Sequence, residues 1–435
     1  MFLSLSSFFA AFKLPDLRKR ILMLFALFGV FVLGLHIPVP NIDRAAMERL
    51  VSQGGSLFGL LDVFSGGALR KFSIFAMGIT PYINASIIFQ LLGIASERIK
   101  QLSKEGEVGQ RKISQYTRYL TIALALVQAM GLITWLRGMG IVTAGSIVQT
   151  IPMAVTLTGG TACLMWLAEQ ITDKGVGNGV SLIIFAGIVA TLPTQALSTW
   201  DALVSGTHQW YNVFFLFIVW VGTVAGIIYM QQGQRKIPVQ HAKRVVGTRV
   251  YGGASTFLPL RVNTAGVIPI IFAISISLFP AQIGRFVQQA LSRSPNAADY
   301  VQEFIIFFSP GDSASGTVIY FLLVILFTYF YTAVQFNVPE VADNLKKSGS
   351  YIPGIRPGKP TSDYLDKVLT RITLAGAIFL GVIAIMQYYV RDITGVRTFS
   401  LVGGTSLLIV VGVALETMQQ IEAHLVMRHY EGFIK

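Results

Sequence analysis

Ile372-Thr373-Leu374-Ala375-Gly376-Ala377-Ile378-Phe379-Leu380-Gly381-Val382-Ile383-Ala384-Ile385-Met386-Gln387-Tyr388-Tyr389-Val390 contains no Asp, Glu, Lys or Arg and is closed at its two ends by Arg371 and Arg391. A run of this kind is as long as a bilayer-crossing helix, about 20 residues. Nine more charge-free apolar stretches occur, at 21–42, 72–96, 119–136, 138–168, 175–200, 202–234, 262–284, 313–339 and 398–415. The chain therefore reads as an all-α polytopic membrane protein with ten transmembrane helices. Only 13% of its 435 residues are charged, where a soluble domain carries about 25%. The spans themselves carry no Asp, Glu, Lys or Arg, which argues against an ion-coupled carrier. Protons and ions need partners in a low-dielectric core.

With the N-terminus placed in the cytoplasm, that side holds 25 of the 34 Lys and Arg and 13 of the 21 Asp and Glu, so 25 − 13 = +12 of the formal +13 lies on one face. The positive-inside rule then predicts that both termini are cytoplasmic. The excess suits topology alone or a surface built for an anionic partner. Residues 2–12 are apolar with no preceding basic residue, and Lys13, Arg18, Lys19 and Arg20 follow them. They are expected not to be a cleavable signal; Leu3, Phe8, Phe9 and Phe12 fit a short interfacial helix or a frayed end. The single cysteine, Cys163, excludes an intrachain disulfide.

Two connections, 235–261 and 340–371, are much longer than the usual helix–helix loop of about 2–8 residues. Both are basic. The first carries Val245-Val246-Gly247-Thr248-Arg249-Val250-Tyr251-Gly252-Gly253, a pattern that predicts a short hairpin. The second carries Tyr351-Ile352-Pro353-Gly354-Ile355-Arg356-Pro357-Gly358-Lys359-Pro360, whose prolines forbid a regular helix and present Arg356 on a stiff turn. Either loop is a solvated basic connection or a docking site. Five spans in each half give inverted topologies: residues 1–195, an external hinge over 196–209, and residues 210–435. Between spans one and two, glycines bracket an apolar segment at about 55–67 that is too short to cross, and it reads as a movable stopper or an interfacial helix.

In span two, Ile79 and Ile83 share a helix face, and Pro81 is expected to kink the helix. Thr80, Asn84, Gln90, Gln128, Asn263 and Thr264 are polar but neutral, and fit interhelical glue or a seam that opens sideways. The five histidines are not spaced as i, i+4 metal ligands. With no paired acidic site and no phosphate loop, no enzyme activity, metal or cofactor is expected.

Several blocks resemble one family. Phe64-Ser65-Gly66-Gly67-Ala68-Leu69 followed by Ser73-Ile74-Phe75-Ala76-Met77-Gly78-Ile79-Thr80-Pro81-Tyr82-Ile83 is similar to the second-span signature of the SecY family, the channel subunits of the bacterial protein-translocation complex. So are Lys104-Glu105-Gly106-Glu107 with Ser114-Gln115-Tyr116-Thr117-Arg118, and Gly175-Val176-Gly177-Asn178-Gly179-Val180-Ser181. Asn263-Thr264-Ala265-Gly266-Val267-Ile268-Pro269, Ala342-Asp343-Asn344-Leu345-Lys346-Lys347 and Gly403-Gly404-Thr405-Ser406-Leu407-Leu408-Ile409-Val410-Val411 continue the match in order.

The resemblance implies a clamshell of two pseudo-symmetric inverted halves around a central pore, in the bacterial cytoplasmic membrane. It would pass unfolded secretory polypeptides across and release transmembrane segments sideways. The pore ring would be Ile79, Ile83, Ile184, Ile268, Ile271 and Ile409. The plug would carry Leu57, Phe58, Leu60, Leu61, Val63 and Phe64. The lateral gate would carry Thr80, Asn84, Gln128, Asn263 and Thr264. The basic loops would dock the SecA motor ATPase or ribosomal RNA of the ribosome through Lys243, Arg244, Arg249, Arg356 and Lys359. Where the family often pairs basic residues at the tip of the first loop, this chain has Thr248-Arg249. Small membrane subunits of the SecE and SecG type, signal peptides, nascent polypeptides and the lipid bilayer complete the implied partners. A secondary transporter of a small solute is the alternative; it would require a charged or substrate-binding residue at mid-depth.

Overall fold

The computed structural model describes residues 14–53, 55–143, 147–241, 244–246, 249–251, 255–290, 295–396 and 404–431. Lys243, Thr248 and the N-terminal residues 1–13 lie outside them. The first half carries α1 (Pro15–Gly34), α2 (Arg44–Gln53), α3 (Gly55–Phe64), α4 (Ala68–Lys71), α5 (Thr80–Ala95), α6 (Glu97–Lys104), α7 (Glu107–Gly138), α8 (Ile147–Lys174) and α9 (Gly179–Val204). The second carries α10 (Trp210–Gln232), then β1 (Gln234–His241), β2 (Arg244–Val246), β3 (Arg249–Tyr251) and β4 (Ser255–Arg261). It continues with α11 (Ile268–Ala290), α12 (Pro295–Phe308), α13 (Ala314–Gln335), α14 (Val338–Lys347), β5 (Ser350–Tyr351), α15 (Lys359–Thr394) and α16 (Thr405–Glu431).

Seven of these helices, α7, α8, α9, α10, α13, α15 and α16, are long and apolar enough to cross a membrane. Helix α1 adds 20 residues, about 30 Å at a rise of 1.5 Å per residue, and α5 and α11 add shorter apolar stretches. The ten cross in two inverted sets of five around a closed centre. Starts are specified locally. Asn178 accepts the Ser181 N–H at 3.1 Å to cap α9, and Ser313 accepts the Gly316 N–H at 2.9 Å to cap α13. Helix α9 runs to Val204 and α10 begins at Trp210, so the non-helical part of the 196–209 segment is 205–209.

Span two departs from expectation. Residues 72–79 form successive turns, and α5 begins only at Thr80. Pro81 lies in the first turn of α5, where its missing N–H leaves no gap in the ladder, so it starts a helix and does not kink one. Non-helical backbone at membrane depth must be enclosed by protein. Phe72, Ser73, Phe75, Ala76 and Ile79 are all buried. The segment after α1 pairs with them: the Val39 N–H donates to Phe72 O and the Ile74 N–H to Ile37 O, each at 3.0 Å. Phe75 stacks on Phe31 with centroids 5.9 Å apart.

In the two long connections, β1 pairs antiparallel with β4, placing Ile237 opposite Leu258, and its other edge pairs with β5. The expected hairpin is β2–β3, mounted on this larger sheet. Ile237, Val239 and Leu260 form a small core with Ile352, Leu365 and Leu369.

A β-carbon at Gly160 of α8 would run into the carbonyl of Ile74, whereas one at Gly159 would meet nothing. Gly160→Ala is therefore expected to destabilise the chain by about 1–3 kcal/mol through overpacking, while Gly159→Ala leaves stability unchanged. Thermal unfolding of the two variants in detergent checks this.

Candidate functional site

The turn at Gly78, with φ +58°, delivers Ile79 to the head of α5, where its carbonyl accepts the N–H groups of Tyr82 at 3.0 Å and Ile83 at 3.1 Å. This fixes Ile79 and Ile83 on one face of the first turn. Opposite, Gly266 at φ +67° and the Asn263 side chain, whose Nδ2 donates to Gly266 O at 2.9 Å, set the start of α11. That start aims Ile271 inward. Ile79, Ile83, Ile184, Ile271 and Ile409 are buried, Ile268 is half-buried, and all six belong to one apolar cluster.

Four of them, Ile79, Ile83, Ile184 and Ile271, line a gap of only about 20 Å³ together with Leu61 and Phe64 of α3. A cavity needs roughly 10–15 Å³ of this measure to hold one water, and that water needs polar partners. The gap is narrow, and its lining is apolar apart from two hydroxyls, Thr80 and Ser275. Ile274, Ser275 and Leu278 line it as well. Sequence reading missed these three, although they follow Ile271 at i+3, i+4 and i+7 on one face of α11. Ile268 and Ile409 pack in the same cluster without reaching the gap.

Beyond α3, a cavity of about 840 Å³ carries a polar lining that includes His36, Arg44, Glu48, Asp62, Arg70 and Lys71. Val63 is buried, while Leu61 and Phe64 are half-buried against the apolar cluster. Leu57, Phe58 and Leu60 also lie on α3. The helix thus separates a narrow, mostly apolar constriction from a larger cavity lined in part by charged side chains. Burial pushes the Asp62 carboxyl above the ordinary carboxylate range, opposed by the Arg70 backbone N–H, then the Arg70 guanidinium and Lys71.

The seam residues are poorly satisfied. Helix α11 packs against both α5 and α7. Asn84 and Asn263 are buried, and Thr80, Gln128 and Thr264 are half-buried. Asn84 Nδ2, Gln90 Oε1, Gln128 Nε2 and Asn263 Oδ1 have no hydrogen-bond partner among the described residues. Thr264 Oγ1 donates to Arg261 O at 3.0 Å.

In the second basic loop, Arg356 and Lys359 are exposed. The Arg356 carbonyl accepts the Thr361 hydroxyl at 2.8 Å, and Ile352 is buried in the small core under the sheet. The first loop is tied to it. Tyr351 Oη donates to Gln240 Oε1 at 3.0 Å, and Ser350 Oγ lies 2.7 Å from His241 Nδ1. Arg244 pairs across the hairpin with Tyr251, and Arg249 with Val246.

A family model described as SecY matches residues 73–418. The chain belongs to the SecY family. The protein translocase subunit SecY of Streptomyces scabiei is 44% identical over 448 residues, covering 99% of this chain and 100% of the relative. Among solved structures, "The structure of a protein conducting channel" superposes with a TM-score of 0.68 at 16% identity, covering 96% of each chain. "Sec61 in the Canine ribosome-channel complex from the endoplasmic reticulum" gives 0.63 at 15%, also covering 96% of each. These two share the SecY-family fold with this chain.

Asn84→Leu removes a buried amide that has no partner for its Nδ2. An unsatisfied buried polar group costs about 1–3 kcal/mol, so the variant is expected to be more thermostable in detergent by an amount in that range. A loss of stability would show that the amide does find a partner.

Proposed function

We propose that this chain is the protein-conducting channel of a bacterial translocase. It passes unfolded secretory polypeptides across the cytoplasmic membrane and releases transmembrane segments sideways into it. The observation that carries the reading is the narrow, mostly apolar gap of about 20 Å³ closed by isoleucines of α5, α9 and α11 on one side and by α3 on the other. A pore for arbitrary sequences must seal without binding any one of them. Branched aliphatic side chains do this, because a narrow apolar constriction dewets and stops ions. Ile79, Ile83, Ile184, Ile268, Ile271 and Ile409 form the ring, and α3 is the plug.

The two halves, 1–195 and 210–435, separate about the external connection. The gate lies where α11 meets α5 and α7, and Thr80, Asn84, Gln128, Asn263 and Thr264 line it. The unpaired amides there lower the cost of parting. An apolar segment that reaches the open seam gains about 25 cal/mol per Å² on leaving for lipid. The chain itself performs no catalytic step; a docked motor or ribosome supplies the drive. Lys243, Arg244, Arg249, Arg356 and Lys359 form the docking surface for the SecA motor ATPase and for ribosomal RNA. Small SecE- and SecG-type subunits hold the clamshell from outside. Both termini and both long loops face the cytoplasm, which the concentration of positive charge supports.

Ile409→Asn, or deletion of 58–64, is expected to raise resting ion conductance in planar bilayers. The double variant gains less than the sum, because both changes act on one opening. Single variants as tight as the parent would remove the ring-and-plug mechanism.

Arg356→Glu is expected to abolish translocation into inverted membrane vesicles while the chain remains inserted. Arg356→Cys should react with an impermeant maleimide only from the cytoplasmic side. Normal translocation, or labelling from outside, would refute the docking surface or the orientation respectively.

A further inference from the structure

The corner between α3 and α4 contains Ser65, Gly66 and Gly67 and has the composition of a free joint, yet it is held on every side. Asp62 is buried, 5% exposed. Its Oδ1 accepts the backbone N–H of Arg70 at 2.8 Å, and its Oδ2 faces Arg70 Nε at 3.4 Å. The Asp62 carbonyl accepts the Ser65 hydroxyl at 3.0 Å and the Gly67 N–H at 2.8 Å. Ser65 Oγ in turn accepts the Leu69 N–H at 3.2 Å. Gly66 and Gly67 take φ of +73° and +79°, and a β-carbon on Gly66 would lie 2.8 Å from the Cα of Gly187 in α9. A corner this constrained does not swing.

The far side of the corner is anchored. Ala68, Leu69 and Phe72 are buried. Leu69 and Phe72 pack with Met47 and Ile133, and the Phe72 carbonyl receives the Val39 N–H. Helix α4 is therefore part of the fixed frame, and α3 is attached to it through the side chain of Asp62. The charge is not the holding element. The desolvated carboxylate is disfavoured where it sits, so an uncharged oxygen in the same place serves the Arg70 N–H as well.

We propose that Asp62 is the positioning residue that latches α3 in its closed seat, and that displacement of α3 begins with release of the Arg70 backbone N–H from the Asp62 side chain. This rests on the reading of α3 as the plug.

The test uses the full chain in its own membranes, with Cys163→Ser and a reporter thiol at Leu61→Cys, labelled by an impermeant maleimide from the outer side. Added Asp62→Ala is expected to raise the labelling rate roughly two- to ten-fold, the loss of one hydrogen bond to an uncharged acceptor. Asp62→Asn, which keeps an acceptor oxygen, stays near the parent rate. A second reporter on the frame, Ser73→Cys, stays unlabelled in every background. An unchanged rate at residue 61 in Asp62→Ala overturns the latch, and so does an equal rise in Asp62→Asn. A parallel rise at residue 73 overturns it too, because the corner is then melting as a whole. Failure of the plug reading is separate: conductance after deletion of 58–64 stays low while labelling at residue 61 still responds to Asp62→Ala.

Discussion

A peptide group without a hydrogen-bond partner in hydrocarbon costs several kcal/mol, and this sets where a membrane helix can be broken. The second span breaks over residues 72–79, and the rest of the centre depends on that break. The strand-like pairing of Val39 and Ile74 with Phe72 and Ile37 satisfies part of the exposed backbone. Gly34 and Gly160 let Phe75 and Ile74 approach at distances that no side chain would permit. Because the helix restarts late, Ile79 and Ile83 fall on its first turn, inside the cluster, and α3 can fold back against them. An unbroken span would leave no room for a stopper.

The constriction and the seam beside it are balanced against each other. Burying an isoleucine side chain is favourable by about 1.5–3 kcal/mol, and five of the six proposed ring residues are buried. An unpaired buried amide costs about 1–3 kcal/mol, and Asn84, Gln128 and Asn263 each bury one such atom. The terms are of the same size and opposite sign. A closed state made only of the first would be hard to open; one made only of the second would not stay shut. Placing apolar groups across the pore and under-satisfied polar groups along its side gives a channel that is sealed axially and parts laterally.

Much of this was legible in the sequence, for physical reasons that also mark where reading stops. Charge-free runs located the spans, because lipid tolerates few ionised groups. They could not show that α7 and α15 extend well past the charge-free runs, since Glu107–Arg118 and Lys359–Arg371 carry charges and yet remain helical. They hid the break in span two, because Phe72 to Ile79 is as apolar as any helix; Gly78 and Pro81 were the only local signs. The family resemblance supplied Ile271, but Ile274, Ser275 and Leu278 needed only the 3.6-residue period of α11. The strand pairing between the two basic loops had no local signal. Strand β5 has two residues, and Ser350 meets His241 across 109 positions of sequence.

That pairing has a mechanical consequence. With β4, β1 and β5 in one sheet over a shared core, the two long basic loops form a single stiff platform, joined to α10, α13 and α15. Force applied to either loop is felt by both, and turns the second half of the molecule as one lever. Any two partners of the docking surface proposed above would meet the same connected sheet, so the binding of one would be felt at the footing of the other.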